Sequence, residues 1–325
     1  MTPKRILILH SDVAPDAPPD ELDTLDQVEA ISAALTERGH AITTAAYPGS
    51  PPGLAALADQ HAPEVVFNLV EAVEGSGARA VEVPGMLDAL GIPYTGAREQ
   101  ALVEAGNKPF AKKKLRDAGL PTPDWSEPPD WDGIGERPMI VKSALEDCSL
   151  GLDDGAIVTG AEAVRRRAAQ SAAAHGGRWF AESYVDGREF NVAVLQNGKG
   201  PIVLPLAEMT FQEWQPERPR IVGYRAKWDD DSFESTRTVR AFGVDESEPG
   251  LARALRTLAA NAWRLFGIHG YARVDFRVGA DGAPTILELN PNPCLSPDAG
   301  FAAAAAKMGL SYADVMERIV AAALA

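Results

Sequence analysis

Long apolar runs, cysteines and net positive charge are all scarce in this chain of 325 residues. No stretch of 18 consecutive apolar residues occurs, so no transmembrane helix is expected. The two cysteines, Cys148 and Cys294, lie far apart and do not make a disulfide framework. They read as reduced thiols acting as small buried side chains. The formal net charge of −15 argues against sequence-independent nucleic-acid binding, which needs a basic footprint, and against docking on anionic membranes. The first turn holds no G-x-G-x-x-G, which speaks against a dinucleotide oxidoreductase. Met1 to His10 carries two charges and a short apolar run, a first β-strand rather than a secretory signal, and a cytoplasmic protein is expected. What remains, 46% hydrophobic and 24% charged residues, is ordinary for a globular protein of two or three domains.

The most informative stretch lies late in the chain. In Gly270-Tyr271-Ala272-Arg273-Val274-Asp275-Phe276-Arg277-Val278, period-2 alternation predicts a strand with Arg273 and Asp275 on one face. Ala272, Val274, Phe276 and Val278 share the other face. Gly279-Ala280-Asp281-Gly282 is a turn signal. A second strand then places Glu288 and Asn290 on one face and Leu287 and Leu289 on the other. Antiparallel pairing brings Asp275 and Glu288 within about one residue of register. Two carboxylates and an amide oxygen are hard donors of the kind that suits Mg²⁺ with substrate phosphates. A solvated sheet face with incidental charge is the bland alternative. The Asn-Pro-Asn-Pro ending argues against it, because proline stiffens the chain directly after the candidate ligands.

Strand and helix alternate over the first hundred residues: strands at Ile6 to Leu9, Ala41 to Ala46 and Val65 to Leu69, helices at Leu25 to Arg38, Leu54 to His61 and Ala78 to Leu90. That order implies a parallel sheet with helices on its faces. A basic helix follows from Asn107 to Ala118, then a proline-rich loop, Pro121 to Pro138. The spacing predicts a buried strand at Met139 to Lys142 and a helix at Ala161 to Ala174. Trp179 to Tyr184 and Glu189 to Leu195 are expected to form a hairpin about Asp186-Gly187. Ile202 to Leu206 reads as a strand, and residues 207–236 as a long lid-like loop with little regular pattern. A helix from Pro249 to Phe266 precedes the late strand pair, and two helices close the pattern.

Several side chains have chemistry suited to a nucleotide. Lys142 ends an apolar strand ahead of a glycine-containing segment, where an ammonium and main-chain N–H groups can meet a phosphate. Lys108 opens the basic helix near its positive end. Lys112, Lys113 and Lys114 are expected on a solvated face. Glu182 and Glu189 can accept from an exocyclic amine or ribose hydroxyls, and the Val185 backbone offers a donor and an acceptor to a purine edge. Lys227 lies in the lid, where a mobile cation can cover a transferring phosphate. Taken singly, each feature has an alternative: a lysine snorkelling off a strand end, glutamates on a hairpin surface, ordinary loop cations.

In this order, the blocks resemble the ATP-grasp superfamily, and within it the D-alanine–D-alanine ligases. Val66-Phe67-Asn68-Leu69, Gly91-Ile92-Pro93-Tyr94-Thr95-Gly96, Asn107-Lys108, and Ala118-Gly119-Leu120-Pro121-Thr122-Pro123 resemble the family's N-terminal half. Gly187-Arg188-Glu189-Phe190-Asn191-Val192, Ala226-Lys227-Trp228, Arg273-Val274-Asp275, Glu288-Leu289-Asn290 and Lys307-Met308-Gly309-Leu310-Ser311-Tyr312 continue the likeness over nearly the whole chain. The resemblance implies a three-domain α/β ATP-grasp fold, divided at 1–104, 105–184 and 185–325. Its N-terminal domain would have a parallel sheet, and ATP would lie between the central and C-terminal α+β domains. It implies Lys108 and Lys142 on the phosphates, Glu182 and Val185 at adenine, Glu189 at ribose and Lys227 at the γ-phosphate. Asp275, Glu288 and Asn290 would bind two Mg²⁺ ions, with Mn²⁺ as an alternative, and Arg273 would face the tetrahedral intermediate. The implied activity is ADP-forming ligation of a small-molecule carboxylate to an amine, with a homodimer as a family-level expectation.

The substrate end departs from the pattern. The first loop, His10 to Glu21, has no glycine, although Glu21 or an aspartate there could replace the family's glutamate. The family's serine pair reads Cys148-Ser149, and its loop tyrosine is Trp228, which has no hydroxyl. Pro293-Cys294-Leu295-Ser296-Pro297-Asp298-Ala299-Gly300 replaces the segment that binds the second substrate's carboxylate, and Asp298 there would repel one. These departures predict altered substrates. A true D-alanine–D-alanine ligase and a non-catalytic nucleotide-binding regulator are the alternatives.

Overall fold

The computed structural model describes residues 1–146 and 149–325, so the reading of Cys148 lies outside the described residues. Strands β1 (Arg5–His10), β2 (Ala41–Ala46) and β3 (Val65–Leu69) alternate with helices α1 (Pro19–Glu37) and α2 (Pro51–His61). They form a parallel sheet in the order β2-β1-β3, extended by a parallel bridge from Val66 to Tyr94. Ile6, Leu7, Ile8 and Leu9 are all buried, as a central parallel strand covered on both faces requires. Helix α1 starts six residues before the apolar pattern. Pro19 at its first turn cannot miss an amide it lacks, and Asp20 and Glu21 favour the positive helix end. The helix expected from Ala78 to Leu90 is instead a short 3-10 turn, Gly77–Arg79, and α3 (Glu82–Ala89).

Helix α4 (Glu99–Gly106) was not legible from the pattern; α5 (Lys108–Asp117) follows it. Asn107 caps α5, its side chain accepting from the Phe110 amide at 3.3 Å. Strands β4 (Trp125–Ser126), β5 (Pro138–Ser143), β6 (Ile157–Thr159) and β7 (Trp179–Ser183) form an antiparallel sheet, β4-β7-β5-β6. Helix α6 (Ala161–His175) packs Val164 and Ala168 against Met139, Val141 and Trp179 of this sheet.

Strand β8 (Arg188–Asn197) does not pair with β7. The hairpin expected about Asp186-Gly187 is therefore absent, and these residues carry the chain from one sheet to another. The glycine answers a different need: a Cβ on Gly187 would lie 2.1 Å from the Val278 carbonyl oxygen. Close backbone approach, not turn type, fixes glycine there.

Strand β8 joins β9 (Gly200–Val203), β10 (Ala207–Phe211), β11 (Thr238–Ala241), β12 (Tyr271–Val278) and β13 (Pro284–Asn290) in an antiparallel sheet. The order is β11-β10-β8-β12-β13, with β9 also on β8. The lid between β10 and β11 is more regular than its composition implied. It contains α7 (Tyr224–Trp228) and α8 (Phe233–Arg237), pinned by a cluster of Phe211, Trp214 and Phe233 over which Arg218 stacks. Short α9 (Val244–Ser247) leads into α10 (Pro249–Leu265). Leu255, Ala259, Ala262 and Trp263 of α10 bury against Phe190, Val192, Ala272, Val274 and Phe276. Burying each large apolar side chain contributes roughly 1.5–3 kcal/mol, so this face holds the sheet and leaves its other face for chemistry.

Helices α11 (Gly300–Lys307) and α12 (Tyr312–Ala323) complete the chain's elements. Ile319 and Val320 of α12 share one core with Ile6, Ile8, Phe67, Ile31 and Leu35. The late helix thus covers one face of the first sheet. Met1's ammonium and His40 both bind Glu317, at 2.7 and 2.8 Å.

Candidate active site

The site grows from the β12–β13 pairing. Asp275 stands directly opposite Glu288, and Arg273 opposite Asn290. The register shifts after Asp275, so Phe276 pairs with Ile286 and Leu287 is the extra residue of a β-bulge. This corrects the expected alternation: Ile286 and Leu289 are buried, while Leu287 turns into the cleft beside Glu288. On the other side of β12, Asp275 faces Asn191 and Arg277 faces Glu189. Each pair is bonded: Asn191 Nδ2 donates to Asp275 Oδ1 at 3.0 Å, and Arg277 Nη2 to Glu189 Oε2 at 2.6 Å. Arg273, two residues along, embraces Asp275 with Nε and Nη2 at 2.7 and 2.8 Å. Arg273, Asp275 and Arg277 thus follow the same period-2 row, a signal that would have identified Arg277 from sequence.

Across the cleft stands the β4-β7-β5-β6 sheet. Lys142 of β5 binds Glu182 of β7 at 2.7 Å. The other Glu182 oxygen meets Lys112, contrary to the expected solvated face. Lys112 is only 1% exposed and also donates to the Leu287 carbonyl at 3.0 Å and Thr122 Oγ1 at 3.2 Å. The helical spacing of Lys108, Ala111, Lys112 and Leu115, all buried, places Lys112 on the inner face of α5. Lys113 remains on the exposed side, bound to Asp117, and Lys114 meets Glu104. Burial alone would raise the Glu182 carboxyl, but Lys112 and Lys142 outweigh it and hold it below the usual range. Lys108 is buried at the start of α5 and donates to the Glu146 carbonyl at 2.9 Å.

These surfaces enclose a cavity of about 570 Å³. Nine of the ten residues singled out from sequence line it: Lys108, Lys142, Glu182, Val185, Glu189, Lys227, Arg273, Asp275 and Glu288. Asn290 lines an adjoining cavity of about 780 Å³ that shares Glu288, Arg273 and Lys227 with the first. Glu288 is the electrostatic focus. Burial would raise its carboxyl, yet Lys108, Lys142, Lys227 and Arg273 bring it down to about 2. Among the described residues no three His, Cys, Asp or Glu side chains form a metal-holding group. The two facing carboxylates and the Asn290 amide still make an all-oxygen donor set, with Glu288 ionised and shared by both cavities. That set fits a hard divalent cation completed by phosphate oxygens.

The lid closes over this cleft through polar contacts. Arg218 binds Asp154 at 2.7 Å and Glu234 at 2.8 Å, and Ser149 Oγ donates to the Val222 carbonyl at 3.0 Å. Tyr224 Oη donates to Asp20 Oδ1 at 2.9 Å, tying the lid to α1. A hydroxyl that Trp228 cannot supply is thus present one helical turn earlier. Asp23, also on α1 but outside the loop considered from sequence, accepts from Cys294 Sγ at 3.1 Å, Ser296 Oγ at 2.7 Å and Gln27 Nε2 at 3.0 Å. No motif marks it; only the fold brings α1 to the segment after β13. Burial, helped by Asp23, pushes the Cys294 thiol up to about 12.

Known proteins resemble this chain over most of its length. Residues 134–321 match the family described as D-ala D-ala ligase C-terminus. A D-alanine–D-alanine ligase of Cupriavidus necator is 31% identical over 282 residues, 85% of this chain and 81% of that protein. One from Moorella thermoacetica is 28% identical and spans 93% of this chain and 94% of its own length. The Bacillus anthracis D-alanine–D-alanine ligase, solved with ATP, superposes with a TM-score of 0.75 at 20% identity, covering 99% of this chain and 97% of that one. The fold is the ATP-grasp fold, with a parallel-sheet unit ahead of two α+β units that face each other across a cleft. The chain belongs to the D-alanine–D-alanine ligase family of ADP-forming carboxylate–amine ligases. Among the described residues no helix is long and apolar enough to cross a membrane.

Proposed function

We propose that the protein is an ATP-dependent ligase that activates a small carboxylate as its acyl phosphate and couples it to an amine, and that its substrates are not two D-alanines. One observation carries the reading: Asp275, Glu288 and Arg273 on one strand pair face Lys108, Lys142 and Lys227 across a single cavity. In this reading ATP lies between segments 105–184 and 185–325. Lys108 and Lys142 neutralise its phosphates, Glu182 and the Val185 backbone meet adenine, and Glu189 meets ribose. Lys112 supports Lys142 indirectly, by sharing Glu182. Asp275, Glu288 and Asn290 would hold two Mg²⁺ ions, or Mn²⁺, whose charge stabilises developing phosphoryl oxygens. Arg273 and Asn191 fix the Asp275 carboxylate in orientation.

The substrate carboxylate oxygen attacks the γ-phosphorus. A new O–P bond forms as the bond to ADP breaks, and Lys227 on the lid covers the transferring group. The amine nitrogen then adds to the acyl carbon, inorganic phosphate leaves, and the nitrogen loses its proton. Arg273 and main-chain N–H near Cys294 face the oxyanion. The docked lid keeps water from the acyl phosphate. A homodimer is the proposed assembly, checked by light scattering.

The altered-substrate reading is supported at the substrate end. Asp20 and Asp23 already hold protein donors, Tyr224 on one and Cys294, Ser296 and Gln27 on the other. Neither is left as an open ammonium anchor. D-alanine as both substrates is the second reading, favoured by the 31% identity to a ligase of that name. ADP release and product mass, measured with ATP, Mg²⁺ and D-alanine alone and then with panels of carboxylates and amines, decide between them. Little D-alanyl-D-alanine and rapid ADP release with another pair are expected. Rapid dipeptide formation returns the second reading, and ADP at background with every pair returns a nucleotide-binding regulator.

A further inference from the structure

Most cations of the cavity are already matched. Lys142 has Glu182, Arg273 has Asp275 and Arg277 has Glu189. Arg240 is different. It lies on β11, half-buried, and lines the same cavity beside Ser296, Asp298 and Gly300. Among the described residues its side chain makes one hydrogen bond, from Nη1 to the Asp298 main-chain carbonyl, at 3.3 Å. Among the described residues no carboxylate stands within 4.0 Å of its guanidinium. Burial lowers the affinity of Arg240 for its proton, the exposed Asp298 carboxylate pulls it back up, and neighbouring Arg273 lowers it further. Two guanidiniums thus crowd one end of a half-desolvated cleft in a protein of net charge −15.

A half-buried cation with no carboxylate within ion-pair reach is costly, and an acidic chain had many residues with which to match it. The unmatched charge therefore belongs to a ligand. Lys227, which likewise has no ion pair among the described residues, sits on the lid. Arg240 sits at the far wall, next to the segment that follows β13, where the amine substrate would enter. Its planar fork suits a carboxylate held by two parallel hydrogen bonds.

We propose that Arg240 is a specificity-determining residue that binds a side-chain acid group on the amine substrate, and that it selects such an acidic amine over its amide counterpart. This rests on the ligase reading above and names the substrate class of that same site. Asp298 lies close enough to Arg240 to discourage a poorly placed anion, so the selection acts on geometry as well as on charge.

The test is equilibrium binding to the full chain, saturated with Mg²⁺ and a non-hydrolysable ATP analogue and followed by calorimetry. The probes are aspartate, asparagine, glutamate and glutamine in both hands. The native chain should bind an acid at least about tenfold more tightly than its amide, since a charged hydrogen bond contributes about 10- to 150-fold. Arg240→Gln should erase that preference and Arg240→Lys should retain part of it, each with an unchanged far-ultraviolet circular dichroism spectrum. Equal binding of acid and amide, binding of neither, or a preference that survives in Arg240→Gln overturns the inference and leaves the ligase reading standing. Failure of the native chain to bind the ATP analogue removes both.

Discussion

Replacing Glu182 by glutamine keeps its shape and removes the one negative charge between Lys112 and Lys142. Glu182 is 1% exposed, and so is Lys112. Loss of one partner from a buried ion pair costs about 3–5 kcal/mol. An independent ceiling comes from proton release. If Lys112 sheds its proton instead of staying charged, the cost at pH 7 is about 3.4 units at about 1.4 kcal/mol each, near 5 kcal/mol. The two routes agree, so Glu182→Gln should lose about 3–5 kcal/mol in urea unfolding at pH 7. The sign of the pH response follows from burial, which already lowers Lys112 in the native chain. The folded variant binds the extra proton less tightly than the unfolded chain, so its stability should rise as pH increases from about 7 toward 10. The slope is at most about 1.4 kcal/mol per pH unit for one proton, and should exceed that of the native chain. Glu182→Gln/Lys112→Met, which removes the orphaned charge, should recover part of the loss, because Lys142 faces the cavity and can be hydrated. A single variant within about 1 kcal/mol of the native chain, or a double variant no better than the single, would refute the electrostatic account.

Three further outcomes are expected. Gly187→Ala forces a methyl group against the Val278 carbonyl and should cost roughly 2–4 kcal/mol in unfolding, whereas an isolated turn glycine would tolerate alanine. Cys294, with its thiol near 12, should react with iodoacetamide about three orders of magnitude more slowly at pH 8 than an ordinary thiol, and speed up as pH rises toward 12; peptide mapping reads that site separately from Cys148. Tyr224→Phe removes the lid's bond to Asp20, worth about 1 kcal/mol, so cleavage of the 212–237 segment by dilute protease should quicken several-fold, and an unchanged rate would show that the bond does not hold the lid.

The β12–β13 site was readable because side-chain alternation is a local property of strands, and Asp275 and Glu288 fall on one face by counting. The first sheet was readable for the same reason, with its glycine-ended helices. The Asp186-Gly187 dipeptide misled because the same two residues serve a tight turn or a crossing between sheets, and only Val278, some ninety positions later, distinguishes them. Lys112 was misassigned by treating three consecutive lysines as one solvated group, although the helical period separates Lys112 from its neighbours. Arg240 and Asp23 carried no local signal. Each gains its significance from a segment remote in sequence, the residues following β13.

Helix α12 seals the sheet begun by β1, sharing its core and binding Met1 and His40 through Glu317. A nascent chain therefore cannot finish its opening module when those strands emerge. Helix α1 covers part of the face that holds Ile6, Ile8 and Phe67, but that face stays incompletely covered until residues 312–323 have left the ribosome. Arrest of translation before that point should leave a sticky intermediate that chaperones bind, and release of the final turns should free it.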